Sequence, residues 1–156
     1  MRAGPDRSSF GGCRVGALRR STWSVRAFRE ASDDERVALC SKVPEYGEAS
    51  RQLLTLATDA SHRAWHAVAR VDGTFAGRAW AFATPGIAGI YDMEVWPGFR
   101  RTGLARALLR TVCGAARAAG VPSAVLNATP DGERVYVAEG FAHIGKGITY
   151  WHHLAC

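Results

Sequence analysis

Arginine and glycine cluster where a predicted strand gives way to a helix, in the stretch VWPGFRRTGLARALLR from Val95 to Arg110. The first backbone N–H groups of a helix lack internal partners, and the helix dipole adds partial positive charge there. Gly103 allows the backbone to approach a ligand closely. Arg100, Arg101 and Arg106 add charge that suits phosphate oxygens. The pattern predicts a turn that binds a phosphorylated cofactor, although a plain strand-to-helix turn with solvated arginines fits it equally well.

Other patterns that would indicate phosphate binding or covalent catalysis are missing from the sequence. It has no Gly-x-x-x-x-Gly-Lys-[Ser/Thr] loop and no Gly-x-Gly-x-x-Gly after a first strand. It has no Gly-x-Ser-x-Gly elbow, so an acyl-enzyme formed on a serine is not predicted. His62 and His66 are four residues apart but lack a third ligand, so a zinc site is not predicted either.

The elements that would position the arginine-rich turn alternate between strands and helices. Asp72-Gly73 predicts a tight hairpin, Ser32-x-x-Glu35 matches a capping box, and Gly120 ends the helix after the turn. The predicted strands cover 22–30, 64–71, 74–84, 89–96, 123–128, 142–146 and 148–153, and the predicted helices cover 33–42, 48–58, 102–119 and 132–138. This order predicts a mixed α/β chain with an antiparallel meander followed by a strand–helix–strand crossover.

Length, charge and cysteine content set limits on the class of protein. The 156 residues favour one domain, and 47% hydrophobic residues suffice for a core without disulfides or metals. We expect residues 1–21 to be a disordered basic tail and residues 22–156 to form the domain. The tail holds five arginines and one aspartate and so carries four of the six net positive charges, which leaves little reason to expect nucleic-acid binding by the domain. Four scattered cysteines and the lack of a long apolar run favour a cytoplasmic protein without a membrane partner.

Two sequence blocks together resemble the GCN5-related N-acetyltransferase (GNAT) family. In the first, a strand ending in Val95-Trp96-Pro97 precedes the Arg-x-x-Gly-x-Ala of residues 100–105 and an amphipathic helix, like the family's acetyl-CoA-binding block. In the second, Tyr136 lies on a helix four residues before Gly140-Phe141. The resemblance implies a GNAT-like fold of the α/β (mixed α+β) class. Its central sheet would be mixed and mostly antiparallel, with six to seven strands flanked by about four helices, and would splay between the fourth and fifth strands.

The same resemblance implies which residues hold acetyl-CoA. The pantetheine arm would lie between the splayed strands, the amides at the start of the helix would hold the pyrophosphate, and the Val95 N–H would polarise the thioester carbonyl. Tyr136 would lie near the sulfur and protonate the leaving thiolate. The implied cofactor-binding residues are Met93, Glu94, Val95, Arg100, Arg101, Thr102, Gly103, Leu104, Ala105, Arg106, Asn127, Thr129 and Tyr136. Thr129 stands where many members carry Asn, and Asn127 lies two residues earlier.

Asp92 and Glu94 are the candidates for the base that acyl transfer to an amine requires. An amine with a pKa of about 10 is mostly protonated at neutral pH, so a carboxylate or a water chain must take its proton. Strand alternation puts both carboxylates on one face, with Tyr91 on the other, unless a bulge intervenes. Asp92 is the stronger candidate, and the alternative is that either carboxylate faces solvent or pairs with an arginine such as Arg78.

The residues and the resemblance together predict an acyl-CoA-dependent N-acyltransferase that moves acetyl from acetyl-CoA to a primary amine by direct attack in a ternary complex. The predicted catalytic residues are Tyr136, Asp92 and Glu94, although Tyr136 also fits a packing role. We expect the acceptor groove between the first two helices, around residues 44–48, and the strand over 89–96. The predicted partner is a small-molecule or peptide amine, without metal, nucleic acid or membrane, and the chain would be a monomer or homodimer. The alternatives are a non-catalytic acyl-CoA-binding module and a nucleic-acid-associated protein that uses the tail.

Overall fold

The computed structural model describes residues 22–28, Ser32, Glu35 and residues 63–148. The strands are β1 (Trp23–Phe28), β2 (Arg63–Val71), β3 (Thr74–Thr84), β4 (Ile87–Val95) and β5 (Ser123–Leu126). The helices are α1 (Leu104–Ala118) and α2 (Pro130–Ala138), with a 3-10 turn over Pro97–Phe99 before α1. The positions and types of these elements agree with the predicted order to within a few residues.

The five strands form one mixed sheet in the order β1-β2-β3-β4-β5. The first four pair antiparallel, and β5 pairs parallel to β4 after the α1 crossover. The mixed, mostly antiparallel sheet is therefore confirmed. The described part has five strands and two helices, where six to seven strands and about four helices were expected. The predicted helix over 48–58 and the acceptor segment 44–48 lie outside the described residues, as do the helix over 33–42 apart from Glu35 and the strand over 148–153 apart from residue 148.

The hairpin between β2 and β3 turns at the predicted dipeptide. Asp72 and Gly73 have φ angles of 48° and 81°. Two left-handed residues in succession suit the two-residue turn that matches the natural twist of paired strands. The Asp72 carboxylate also accepts from the Thr22 backbone N–H at 3.0 Å, which ties the start of β1 to the hairpin.

One face of the sheet packs against α1 through small residues. The alanines on this face are almost fully buried, and α1 contributes Leu104, Leu108, Leu109 and Val112, which are fully buried. Each such side chain stabilises the fold by about 1.5–3 kcal/mol. A Cβ at Gly77 of β3 would lie 3.1 Å from Leu108 Cδ1 and 2.6 Å from the Glu94 carbonyl oxygen, so the helix lies close to the middle of the sheet. This packing fixes the start of α1 beside the end of β4.

The ends of the helices differ slightly from the predicted ones for identifiable reasons. α1 begins at Leu104 rather than residue 102, because Gly103 at its N-cap has a left-handed φ of 89°. It ends where Gly120 predicts, with the Gly120 N–H donating to the Arg117 carbonyl at 2.9 Å. α2 begins at Pro130, two residues early, because Thr129 caps it and proline is favourable in the first turn.

The strand predicted over 142–146 is wrong. Residues 141–148 have no regular secondary structure, and Ile144 and Ile148 are 85% and 79% exposed. A strand needs a neighbour that shares its backbone hydrogen bonds, and none of the five described strands pairs with this segment.

The capping box at Ser32 and Glu35 is confirmed. The Ser32 backbone N–H donates to Glu35 Oε2 at 3.0 Å, and the Ser32 hydroxyl donates to the same oxygen at 2.9 Å. Arg26 of β1 also donates to the buried Glu35 carboxylate.

In the part of the chain that the structure describes, no helix has the length and apolar character needed to cross a membrane.

Candidate functional site

A bulge interrupts β4 at the predicted carboxylate pair. The strand pairs on either side of it are Arg78–Glu94 and Trp80–Tyr91. β3 therefore contributes one intervening residue and β4 contributes two, and Asp92 takes a left-handed φ of 49°. The extra residue resets the alternation, so Tyr91 and Glu94 lie on the same face of the sheet, opposite α1. The expectation that Tyr91 faces away from Glu94 is wrong.

Arg78 joins the two carboxylates. Its side chain is 8% exposed, donates to Asp92 Oδ1 at 3.0 Å and lies 3.9 Å from Glu94 Oε2. Burial raises the pKa of Asp92, Arg78 opposes the rise, and repulsion from Glu94 adds to it, so the pKa of Asp92 lies above its ordinary value. The ion pair with Arg78 is therefore present, and Asp92 is still a stronger proton acceptor than an ordinary aspartate.

β4 and β5 pair over only four residues, from Ile87–Ser123 to Ile90–Leu126, whereas β4 continues to Val95. Among the described residues, the rest of β4 has no ladder with β5. The Trp96 N–H donates to the Ala76 carbonyl of β3 at 2.9 Å. Because donors alternate in an antiparallel ladder, the neighbouring Val95 N–H points away from β3 and toward the β5 side. A backbone donor therefore faces the place where the fourth and fifth strands separate.

The turn between β4 and α1 has an unusual backbone. Arg101 has a left-handed φ of 65° and Gly103 one of 89°. Between them, the Thr102 hydroxyl donates to the Phe99 carbonyl at 2.7 Å and holds the turn in shape. Successive amides in such alternating conformations form a concavity that binds anions, and the first turn of α1 adds its own N–H groups. A Cβ at Gly103 would meet nothing within 4 Å, so a ligand has room to approach.

The three arginines of this turn have different surroundings. The Arg100 Nε donates to the Val95 carbonyl at 3.0 Å, so its side chain folds back over the end of β4. Arg106 Nε lies 2.6 Å from a carboxylate oxygen of Glu139. Arg101 is exposed at the turn itself. Its guanidinium is therefore accessible to a ligand bound there.

The other predicted cofactor-binding residues differ in the exposure and contacts of their side chains. Leu104 is 1% exposed and belongs to the core, and Met93 is partly buried against the same core. Ala105 follows in the first turn of α1, while Asn127 is exposed just after β5. Thr129 accepts a hydrogen bond from the Gly132 N–H at 3.3 Å and so caps α2.

Tyr136 lies on α2 and is 9% exposed. Its ring packs edge-on against Phe141, with the ring centres 6.1 Å apart. Burial raises the pKa of Tyr136, which keeps the phenol protonated at neutral pH. The side chain therefore packs in the core and also remains a proton donor.

Glu139 is a site residue that the sequence reasoning missed. It ends α2, one turn after Tyr136, and its side chain is only 8% exposed. Arg110 donates to it through Nε at 2.5 Å and through a terminal nitrogen at 3.1 Å, and Arg106 reaches it from the previous turn of α1. Hydrogen bonding by Arg110 lowers the pKa of Glu139, against a smaller opposing effect of burial. The two arginines four residues apart were the available signal, but their partner lies 29 residues beyond Arg110.

A row of aromatic rings on the same face as Glu94 was also missed. His66, Trp80 and Tyr91 are directly paired across β2, β3 and β4. Their rings are stacked or tilted at centre distances of 5.7 Å and 5.4 Å. The row ends beside the bulge.

In the described ranges, no three His, Cys, Asp or Glu side chains come together in a way that could hold a metal ion.

A comparison with protein-family models decides which family carries this site. Residues 23–141 match the model of the acetyltransferase (GNAT) family. The chain belongs to this family. The match spans most of the chain and ends at the Phe141 that packs against Tyr136.

Solved structures of GNAT proteins share the fold at low sequence identity. A predicted acetyltransferase from Clostridium acetobutylicum, solved with acetyl-CoA, is 16% identical, with a TM-score of 0.66 over 85% of this chain and 99% of that one. Glucosamine-6-phosphate N-acetyltransferase from Arabidopsis thaliana is 15% identical, with a TM-score of 0.67 over the same shares. An aminoglycoside N-acetyltransferase in complex with CoA is 21% identical, with a TM-score of 0.61 over 88% and 99%. No curated protein matches the sequence.

Proposed function

We propose that this GNAT-family protein is an acyl-CoA-dependent N-acyltransferase that transfers acetyl from acetyl-CoA to a primary amine. The observation that carries the proposal is the turn at Arg101 and Gly103, whose left-handed residues direct amides outward at the start of α1. This turn follows the part of β4, after Ile90, that has no ladder with β5 among the described residues. The family match and a structural neighbour solved with acetyl-CoA support the assignment.

The proposed binding mode follows the chain from the turn toward the sheet. The amides over residues 101–106 would hold the pyrophosphate, with the exposed Arg101 adding charge. The pantetheine arm would lie along the unpaired side of β4, against the backbone of Met93 to Val95. Arg106 would act through its ion pair with Glu139 rather than on the phosphates, since that pair already holds its guanidinium.

The reaction we propose needs three proton movements. The protonated amine loses one proton to Asp92, directly or through water, and its nitrogen then attacks the thioester carbon. The Val95 N–H stabilises the oxygen anion that forms, and the carbon–sulfur bond breaks. The Tyr136 hydroxyl gives its proton to the departing thiolate, and the second proton of the attacking nitrogen passes to the Tyr136 phenolate through water, which restores the phenol and leaves a neutral amide. Glu94 is the second carboxylate and keeps the amine side of the site negative beside Arg78.

The acceptor, the assembly and the location also remain proposals. Neighbouring structures include enzymes that act on a sugar phosphate and on aminoglycosides, which is consistent with a small-molecule acceptor here. A peptide amine is the other class that we propose. We also keep residues 22–156 as the extent of the catalytic domain, in a cytoplasmic monomer or homodimer.

The direct test is release of free CoA from acetyl-CoA in the presence of a panel of amines, with binding of CoA measured separately by calorimetry. We expect CoA binding and amine-dependent thiol release. Binding of acetyl-CoA without thiol release on a broad panel would instead support a non-catalytic binding module. Absence of CoA binding would remove the proposal altogether.

A further inference from the structure

The face of β4 that points away from α1 is exposed and apolar. Ala88 and Ile90 are buried on the α1 side, so Ile87, Gly89 and Tyr91 lie on the opposite face. Ile87 is 41% exposed and Tyr91 is 53% exposed. A strand rises about 3.3 Å per residue, so this strip is on the order of 13 Å long, enough for one ring and its substituents.

Tyr91 lies flat along this strip because Gly89 has no side chain. A Cβ at Gly89 would meet the Tyr91 hydroxyl oxygen at 2.5 Å and two ring carbons at 2.6 Å and 2.7 Å. The ring also packs on Trp80 in a tilted arrangement, at 5.4 Å between the ring centres. The glycine and the tryptophan thus set the ring parallel to the strand and leave its outer surface open.

The charged groups at the end of the strip favour a cation. Asp92 follows Tyr91 directly, and Glu94 shares its face. Their side chains are 46% and 37% exposed, and Arg78 beneath them balances only one of the two negative charges. An ammonium group is therefore attracted to one end of the strip, where the negative face of the tyrosine ring adds a smaller attraction.

We propose that Tyr91 is the specificity-determining residue of the acceptor site, and that the acceptor is a primary amine carrying a flat apolar group. The ammonium end approaches Asp92 and Glu94, and the flat group stacks on the outer surface of Tyr91. This inference rests on the proposed acyl transfer and names its acceptor class. A polycation without an apolar group gains nothing from the strip, because Ile87 offers it no hydrogen-bond partner.

The test compares 2-phenylethylamine, n-butylamine and spermidine, with affinity from NMR titration and kcat/KM from thiol release. In the wild type we expect 2-phenylethylamine to be preferred in both measurements. Tyr91→Ala should reduce the preference over n-butylamine about fivefold, the size of one aromatic stacking contact, and Tyr91→Phe should keep it. Gly89→Ala should act like Tyr91→Ala because it lifts the ring. Trp23→Ala, which removes an exposed aromatic on β1, is the control and should leave the preference for 2-phenylethylamine unchanged.

The outcomes separate this inference from the proposed function. The inference is overturned if Tyr91→Ala lowers kcat/KM equally for 2-phenylethylamine and n-butylamine. It is also overturned if the wild type prefers spermidine or binds none of the amines. If substitution of Tyr91 does not change which amines support thiol release, the inference is overturned and the proposed acyl transfer is unaffected. Tyr91-dependent binding of 2-phenylethylamine without thiol release supports the inference and counts against the acyltransfer. Thermal unfolding of each variant confirms that it is folded.

Discussion

Asp92 combines a bulged backbone, an ion pair and a raised pKa, and these make its substitution informative. We expect Asp92→Asn to lower kcat by about a hundredfold or more, the usual contribution of a general base. Asparagine tolerates the left-handed φ of this position, so the fold should be kept. The affinity for acetyl-CoA, measured by calorimetry, should not change.

The pH dependence gives an independent check on Asp92. The carboxylate accepts a proton only when it is ionised, so wild-type kcat should fall as the pH drops through its raised pKa. The Asp92→Asn variant should lack that acidic limb. Glu94→Gln is the matched control and should keep the limb, displaced to lower pH because the repulsion that helps to raise the pKa of Asp92 is gone. Turnover of Asp92→Asn equal to wild type would exclude the residue from the reaction.

Tyr136 can be tested without disturbing the core, because phenylalanine keeps its packing against Phe141. We expect Tyr136→Phe to lower kcat by about a hundredfold, since the thiolate must then leave unprotonated. CoA affinity and the unfolding temperature should stay close to wild type. Burial raises the pKa of Tyr136, so wild-type turnover should not decline through its ionisation below a pH of about 10. Full activity in the variant would leave Tyr136 with a packing role only.

At the scale of elements, the turn before α1 contains two glycines that differ in one property. Gly103 has a φ of 89°, whereas Gly98 has no left-handed φ, and a Cβ at either would meet nothing within 4 Å. Gly103→Ala should therefore cost about 1–2 kcal/mol of unfolding free energy and weaken CoA binding, because the amides lose their direction. Gly98→Ala should leave both unchanged. Denaturant unfolding and calorimetry on the two variants measure this, and equal CoA affinities would argue against the turn as the phosphate site.

Glu139 at the end of α2 is joined to α1 by ion pairs with Arg106 and Arg110. Its pKa is lowered by Arg110 and Arg106, so its stabilisation is present above the unfolded pKa of about 4.3 and is lost as the pH falls through the lower folded value. We expect Glu139→Gln to lower the unfolding temperature at neutral pH, with the difference from wild type shrinking below about pH 4. Glu133→Gln, at an exposed position of α2, is the control. A difference that persists at low pH would assign the effect to something other than charge.

The sequence predicted elements whose signals are local and missed features that depend on distant partners. Asp72-Gly73 and the apolar spacing of α1 each act within a few residues, and both elements form as predicted. The bulge at Asp92 was left open because one extra residue in a strand is visible only against the register of its neighbour. The strand over 142–146 was predicted from its own residues, which do not reveal whether another strand pairs with it.

In the candidate site, too, features within one segment could be predicted and features that join distant segments could not. The phosphate turn could be predicted because glycine and arginine spacing belongs to one continuous segment. The Arg106–Glu139 pair could not, because it joins two helices, and neither could the flat Tyr91, whose orientation depends on Gly89 and on Trp80 of another strand.

For the whole molecule, the basic segment 1–21 and the family-matched region 23–141 should be separable. We expect a chain that starts at Thr22 to keep CoA binding and thiol release. Any binding of the full chain to non-specific DNA should weaken steeply with salt and disappear in the shortened chain, because the five arginines of the segment would supply it. Filter binding at several salt concentrations measures this. DNA affinity that survives the truncation would place a nucleic-acid surface on the domain.

The bulge in β4 also has a consequence for how this gene can vary. Loss of one codon between Tyr91 and Glu94 would leave one residue of β4 opposite one of β3, so a regular ladder would replace the bulge and both ends of the strand would keep their faces. Gain of one codon in β4 without a second bulge would instead turn the buried Ala88 and Ile90 toward water or force Glu94 against α1. Natural variants should therefore lose a residue here more readily than they gain one, and a loss would remove the left-handed position of Asp92.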